Sequence, residues 1–347
     1  MRGAIGHRGV QTALAAAVLF GLAAPFGKLL VGSIDPFLLA GLLYLGSGLG
    51  LALWRRAVGR PRERLAADER RWFAGAIVAG GIVGPALLML GLEGMAASEA
   101  ALLLNAEAVF TALIAWVVFR ENVDLHVGLG FAAIAAGAVL IATGGGVAVG
   151  GLWPSLAVLG ACLAWGIDNN LTRRVSLADA SWIACVKGLV AGSVNTAIGL
   201  ALGAALHGAA GLGGALLLGL CAYGVSLTLF VVALRELGAA RAGAYFSTAP
   251  FFGAVIAVAM GEPLTGTLIV AAGLMAVGVW LHLSERHEHA HSHPALEHMH
   301  WHTHDLHHRH AHAVPVPAGA WHRHPHRHEA MTHSHPHYPD AHHRHVH

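Results

Sequence analysis

From about residue 11 to residue 284 the chain is a succession of long apolar stretches, interrupted by short polar or glycine-containing connections. Stretches such as "QTALAAAVLFGLAAPFGKLL" and "LIVAAGLMAVGVWLHL" approach the ~20 apolar residues that carry an α-helix across a bilayer. Cut at the polar connections, the pattern predicts ten helices, at 11–32, 35–54, 72–92, 97–119, 125–143, 152–172, 180–206, 212–234, 240–260 and 265–284. The expected fold class is therefore all-α integral membrane. Past residue 286 the pattern changes to alternating histidines, as in "HEHAHSHPALEHMHWHTHDLHHRHAH" from His287 to His312. Rich in proline and polar residues and poor in apolar ones, this stretch predicts a disordered His-rich tail over 287–347.

Composition agrees with the pattern. Hydrophobic residues make up 56% of the chain and charged residues 12%, too few charges to cover the surface of a soluble domain. The stretch from Met1 to about Ala24 has the basic start of a secretory signal, but its apolar run is too long and further spans follow, so an uncleaved first helix is expected. Cys162, Cys185 and Cys221 are scattered through apolar segments without CxxC spacing and read as small core residues.

Orientation follows from the basic residues, which collect on the cytoplasmic side of membrane proteins. One set of connections carries Arg2, Arg8, Arg55, Arg56, Arg60, Arg62, Arg64, Arg70, Arg71, Arg120, Arg173, Arg174, Arg235, Arg241 and Arg286. The alternate connections, near 33–35, 93–96, 144–151, 207–211 and 261–264, contain no Lys or Arg. Both termini are expected in the cytoplasm of a multi-pass protein of the cell (inner) membrane.

The halves also resemble each other at an offset of about 141 to 145 residues. "VVFRENV" parallels "VAMGEPL", setting Glu121 against Glu262, and "FGLAAPFGK" parallels "WGIDNNLTR", matching Lys28 with Arg173. Five spans per half is an odd number, so the second half enters the membrane inverted, an arrangement common among secondary transporters. The boundaries read as 1–148 and 149–286 for two five-helix repeats, then 287–347 for the tail. With these features the chain resembles the drug/metabolite transporter superfamily, EamA type. The resemblance rests on "FGLAAPFGK" with its early Lys28, on "LLLNAEAVFTALIAWVVFRE" and "YFSTAPFFGAVIAVAMGE" in the fourth and ninth spans, and on the closing Glu121 and Glu262. It implies a fold of ten helices in two tandem repeats with both ends cytoplasmic. Ala108 departs from the family's frequent Pro after the glutamate, which implies a straighter fourth span than its partner around Pro250.

Ionisable groups inside a bilayer are costly unless paired or hydrated, so each is a functional candidate. Glu107 falls near the middle of its span, where a carboxylate binds a cationic cargo, exchanges protons, or pairs with Lys28 or Lys187. Asp168, Asn169 and Asn170 follow one another, about 100° apart on a helix, and share one cavity only if the helix unwinds. They read either as a hydrated part of the cargo path or as a helix cap, with Asp168 paired to Arg173 or Lys187. Lys187 is shallow enough to snorkel, whereas Asn195 is deeper and needs a partner. Asn105 reads as an interhelical hydrogen bond, and Pro25 and Gly27 favour a kink in the first span. No GxxxxGK[ST] loop or nucleophile–base pair is present, so neither an ATP-driven pump nor an enzyme is expected.

The tail holds 23 of the 27 histidines. His287, His289, His291, His293, His298, His300, His302, His304, His307, His308, His310 and His312 are candidate ligands for a divalent transition metal. No cofactor is required. The core shows few soft ligands at depth, which separates the tail from the transport path. The function expected is a secondary transporter, exporting a small polar or cationic metabolite by alternating access with proton or gradient coupling, with a metal- or pH-responsive tail. A Ni, Co, Zn or Cu exporter stays open as an alternative, and a non-transporting membrane metal sensor as a second. The expected partners are the bilayer, a small-molecule substrate, transition-metal ions and a second copy in a homodimer, but no nucleic acid.

Overall fold

The computed structural model describes residues 8–60, 65–119, 125–143, 152–175, 178–205, 208–237, 239–284, 288–293, 296–302, 322–328 and 331–336. The chain divides into two compact units, Met1–Glu285 and Arg286–His347. The first is helical: α1 Arg8–Gly21, α2 Ala23–Val31, α3 Pro36–Ala57, α4 Ala67–Ala76, α5 Gly84–Gly94, α6 Ala97–Leu103, α7 Ala106–Phe119 and α8 Leu125–Thr143, followed by α9 Leu152–Thr172, α10 Ala180–Ala201, α11 Ala209–Gly219, α12 Ser226–Leu237, α13 Ala239–Phe246, α14 Ala249–Ala259 and α15 Gly266–Ser284. Two π-helical segments, Ile77–Val83 and Leu220–Val225, make α4 to α5 and α11 to α12 continuous. Six of the described stretches are long and apolar enough to cross a membrane: 9–31, 36–57, 69–94, 97–118, 180–201 and 209–233. Shorter apolar helices cover 128–143, 249–259 and 266–281. Large apolar side chains such as Leu53, Val117, Val118, Trp153 and Trp280 point outward, as lipid-facing residues do.

The internal duplication is written in the backbone. α3 and α10 are both 22 residues long, and each is capped by an aspartate. Asp35 accepts from Phe37 N and Leu38 N at 2.9 and 3.1 Å, and Asp179 accepts from Trp182 N at 2.9 Å. Such caps satisfy amides that the helix itself leaves open. The π segments begin 143 residues apart, at Ile77 and Leu220. The same spacing separates α7 from α14, which start at Ala106 and Ala249 after matching interruptions at 104–105 and 247–248. The interruption before Pro250 follows from proline's missing N–H and its clash with the preceding turn. The first-half segment breaks equally without a proline, which corrects the straighter helix inferred from Ala108. A further break at Leu22 precedes Pro25, where a kink was expected.

Glycines decide how closely the helices approach. At the crossing of α3 and α10, a Cβ on Gly188 would stand 2.6 Å from Gly48 N and 2.8 Å from Tyr44 O. Gly41 lies against Thr196, and Gly192 against Leu45, along the same seam. Between α8 and α15, Gly278 approaches Gly130 O and Gly137 approaches Met275. Small residues at such seams let backbones pack where lipid offers no hydrophobic driving force.

In the second unit, where composition predicts disorder, only 288–293, 296–302, 322–328 and 331–336 are described. Its described residues form four strands, β1 Glu288–His293, β2 Leu296–His302, β3 His322–His328 and β4 Met331–Pro336. β1 pairs with β4 and β2 with β3, both antiparallel. Histidine at every second position is a period of two, which extended chain accommodates even when composition is polar.

Candidate functional site

The polar centre of the helical unit is organised by the first π segment, "IVAGGIV". A π turn takes its carbonyls out of the α-helical register, and three helices supply donors to them. Tyr44 Oη of α3 and Trp165 Nε1 of α9 both donate to Gly80 O, at 2.7 and 2.9 Å. Asn195 Nδ2 of α10 donates to Gly81 O and Ile82 O at 3.1 and 3.3 Å. This is the partner that the deep Asn195 required, and it makes the residue a clamp on backbone. Gly80 must lack a side chain, because a Cβ there would run into the Asp168 carboxylate.

Asp168 faces α10 while Asn169 and Asn170 both reach α7, and α9 stays helical through Thr172, so the local unwinding considered from sequence does not occur. Asp168 forms an ion pair with Lys187 of α10, and Thr172 Oγ1 donates to its other oxygen at 2.9 Å. Lys187 is thus buried in an internal pair, which corrects the expectation that it snorkels. Asn170 Nδ2 donates to Thr111 O and Gly166 O, both at 2.9 Å, tying α9 to α7. Asn169 Nδ2 donates to Glu107 Oε1 at 2.8 Å and reaches Thr111 Oγ1 at 3.3 Å. Glu107 is half-buried in the first turn of α7, beside the interruption at 104–105. Among the described residues no cation pairs with it, since Lys187 is taken by Asp168. Glu107 and Asn169 therefore meet as a carboxylate–amide pair between the repeats. Asn105 turns away, donating to Leu102 O at 3.0 Å and to Met275 Sδ at 3.7 Å.

Lys28 lies elsewhere. Its Nζ donates to Leu92 O at 2.5 Å and Glu93 O at 3.2 Å, closing the C-terminal turn of α5. The geometry makes it a helix cap rather than a neighbour of Glu107. Glu262 caps the opposite polarity: its two oxygens accept from Ala97 N and Ser98 N, at 2.7 and 2.8 Å, at the start of α6. Gly261, at φ 108°, turns the chain there after α14. Glu121, its counterpart in the first repeat, lies outside the described residues. On the arginine-bearing connections, Arg55 Nη1 binds Asp179 Oδ1 at 2.5 Å and also donates to Ser181 Oγ. Arg174 stacks 5.6 Å from the Trp72 ring. Burial alone would raise the Asp179 carboxyl. Hydrogen bonds from Ser181 and the Trp182 amide, with the Arg55 guanidinium, outweigh it and hold the group below its ordinary range.

A family model for the EamA-like transporter family matches residues 7–143 and again 152–284, one match over each half. The chain belongs to the EamA-like transporter family. It is a multi-pass membrane transporter and not an enzyme. It is 29% identical over 295 residues to an uncharacterized transporter of Methanothermobacter thermautotrophicus, covering 79% of this chain and 85% of the relative. A crystal structure sharing 17% sequence identity superposes with a TM-score of 0.62, covering 79% of this chain and 94% of the other, which shows the fold alone.

Sequence reading missed Tyr44, Trp165 and Tyr223, which form the aromatic wall of this EamA-like centre. The rings of Tyr44 and Tyr223 lie 5.1 Å apart, and Phe20 meets Trp165 at 6.1 Å and Tyr223 at 5.9 Å. The one available signal was the paired glycine of "VAGGIV", a place with no side chain to fill it. Cys162 and Cys185 are buried and free, as core residues. Among the described side chains, no three His, Cys, Asp or Glu gather as a metal-ligand set. Of the candidate tail ligands, His289, His291, His293, His298, His300 and His302 lie on strands. His287, His304, His307, His308, His310 and His312 lie outside the described residues.

Proposed function

We propose that the protein is a secondary exporter of a small polar or cationic metabolite, coupled to protons or another gradient, with Glu107 as the residue that engages cargo or proton. The observation that carries this reading is the carboxylate itself. It is half-buried at a helix interruption between the repeats, held by an amide, and spared the internal ion pair that occupies Asp168 and Lys187. A carboxylate retained in a bilayer without a fixed counter-ion is suited to a mobile one. The repeats 1–148 and 149–286, with ten helices in inverted order, would rock about this point.

Two contacts support the alternating topology. The connections bearing Arg55, Arg60 and Asp179 meet one another, and the arginine-free connections bearing Glu262 and Ala97 meet one another. With the arginines inside, both termini are cytoplasmic in the inner membrane, and the tail is a cytoplasmic metal- or pH-responsive element. The tail reading is supported by backbone register, which sets His289 opposite His335, His291 opposite His333, His298 opposite His326 and His300 opposite His324. Proteoliposome flux tests the core: a cargo found by screening a deletion strain against toxic amines, amino acids and metals should be moved by the wild type and not by Glu107→Gln. Full flux in Glu107→Gln would remove the carboxylate from the mechanism. Residues 1–286 alone should keep that flux while losing Ni and Zn binding in equilibrium dialysis. Sensitivity to metals only, and its loss with the tail, would favour the metal-exporter alternative.

A further inference from the structure

Glu107 can hold one end of a cargo, and the other end needs a contact of its own. Four buried side-chain atoms lack a hydrogen-bond partner among the described residues: Asn105 Oδ1, Asn195 Oδ1, Thr196 Oγ1 and Tyr223 Oη. Both amides already donate through their nitrogens, and Thr196 sits in the glycine seam against Gly41. Tyr223 differs, because at 1% exposure its entire polar function is unspent. Buried hydroxyls are ordinarily paired, so an unpaired one calls for a physical explanation. Its neighbour Tyr44 gives the contrast, with a ring 5.1 Å away and a hydroxyl consumed by Gly80 O.

Tyr223 stands in the second π segment, 143 residues after Gly80, the same distance that separates Ile77 from Leu220. At matched register, then, the first repeat presents a satisfied carbonyl and the second a spare donor. Tyr223 and Glu107 are joined through α9: the Tyr44 beside Tyr223 shares Gly80 O with Trp165, and Asn169, four residues further on, donates to Glu107. Phe20 packs on Tyr223 and also lines a small crevice among the three helix interruptions, together with Leu104, Ala249 and Pro250.

We propose that Tyr223 is the second cargo contact, donating its hydroxyl to an oxygen on a small amine whose nitrogen is held by Glu107. The site therefore selects amines that also carry a hydroxyl, carbonyl or carboxylate oxygen, and discriminates against plain alkylamines. This inference rests on the Glu107 reading above. A neutral hydrogen bond to a ligand is worth up to about tenfold in affinity. The test titrates the purified full chain in detergent, by calorimetry, with n-propylamine, 3-aminopropan-1-ol and 3-aminopropanoate, which share one carbon skeleton.

The expected result is that the two oxygen-bearing amines bind about tenfold more tightly than propylamine. That gap should close in Tyr223→Phe, while Glu107→Gln should bind none of the three. Equal binding of all three by the wild type, or a gap that survives in Tyr223→Phe, overturns the role of Tyr223 and leaves that of Glu107 intact. Absence of binding by all three in the wild type overturns the joint amine site of Glu107 and Tyr223, while Glu107→Gln flux in proteoliposomes judges Glu107 by itself. Tyr223→Phe deletes only an unpaired hydroxyl and keeps the ring packing. Should it still fail to fold, the wild-type comparison decides alone.

Discussion

Replacing Lys187 by Met is the sharpest probe of the polar centre. The side chains of Lys187 and Asp168 are each 7% exposed, so nearly all of their hydration has been exchanged for one another. Methionine keeps an unbranched chain of similar length but removes the charge, leaving the Asp168 carboxylate with Thr172 Oγ1 as its remaining side-chain partner. Breaking a buried pair from one side costs about 3–5 kcal/mol, chiefly for the charge left behind. The apparent melting temperature should fall by on the order of 10 °C. Adding Asp168→Asn neutralises the stranded charge, so the double variant should recover to within about 1 kcal/mol of wild type. Detergent-solubilised protein, heated and assayed for the fraction that remains monodisperse on size exclusion, gives all four corners of the cycle. A Lys187→Met melt within about 2 °C of wild type, or a double variant that falls by the sum of the singles, would refute the reasoning. Flux through the stable double variant then separates a scaffold pair from one that must open during transport.

Two further outcomes follow from the packing and the loops. Gly188→Ala should lose about 1–3 kcal/mol by forcing α3 and α10 apart at Gly48, whereas Gly273→Ala, with nothing within 4 Å of its Cβ, should melt like wild type; the same size-exclusion assay reads both. Asp179 is held below its ordinary range in the folded protein, so its stabilisation is complete above about pH 4 and is lost as pH falls through the lower, folded value. Asp179→Asn should accordingly lower the melting temperature at neutral pH and flatten its decline in acid, measured as melting temperature against pH.

The succession of apolar helices and the duplication were legible because both are carried by local pattern: apolar run length and punctuating glycines and prolines. Glu107 stood out because a carboxylate in an apolar run is conspicuous wherever it folds. The connections among polar residues were not legible. Lys187 could pair with any of several acids, and only the packing of α10 against α9 selects Asp168. Lys28 looked central because it ends an apolar segment, yet the fold carries it to the carbonyls of α5. The π segments left no trace beyond Gly80 and Gly81, since one extra residue per turn does not disturb a uniformly apolar sequence. Tyr44, Trp165 and Tyr223 drew no reading from the sequence, because their significance lies in which backbone oxygen each finds, or fails to find.

The capping of α6 by Glu262 bears on how the chain is assembled. The opening amides of a helix in the first repeat are answered by a side chain encoded some 165 residues later, in the last connection of the second. The first repeat is therefore an unfinished folding unit: as it leaves the ribosome, α6 starts without its acceptor and must wait for the stretch that carries Glu262. Separately produced halves, 1–148 and 149–286, should each be short-lived in the membrane and protect one another when made together.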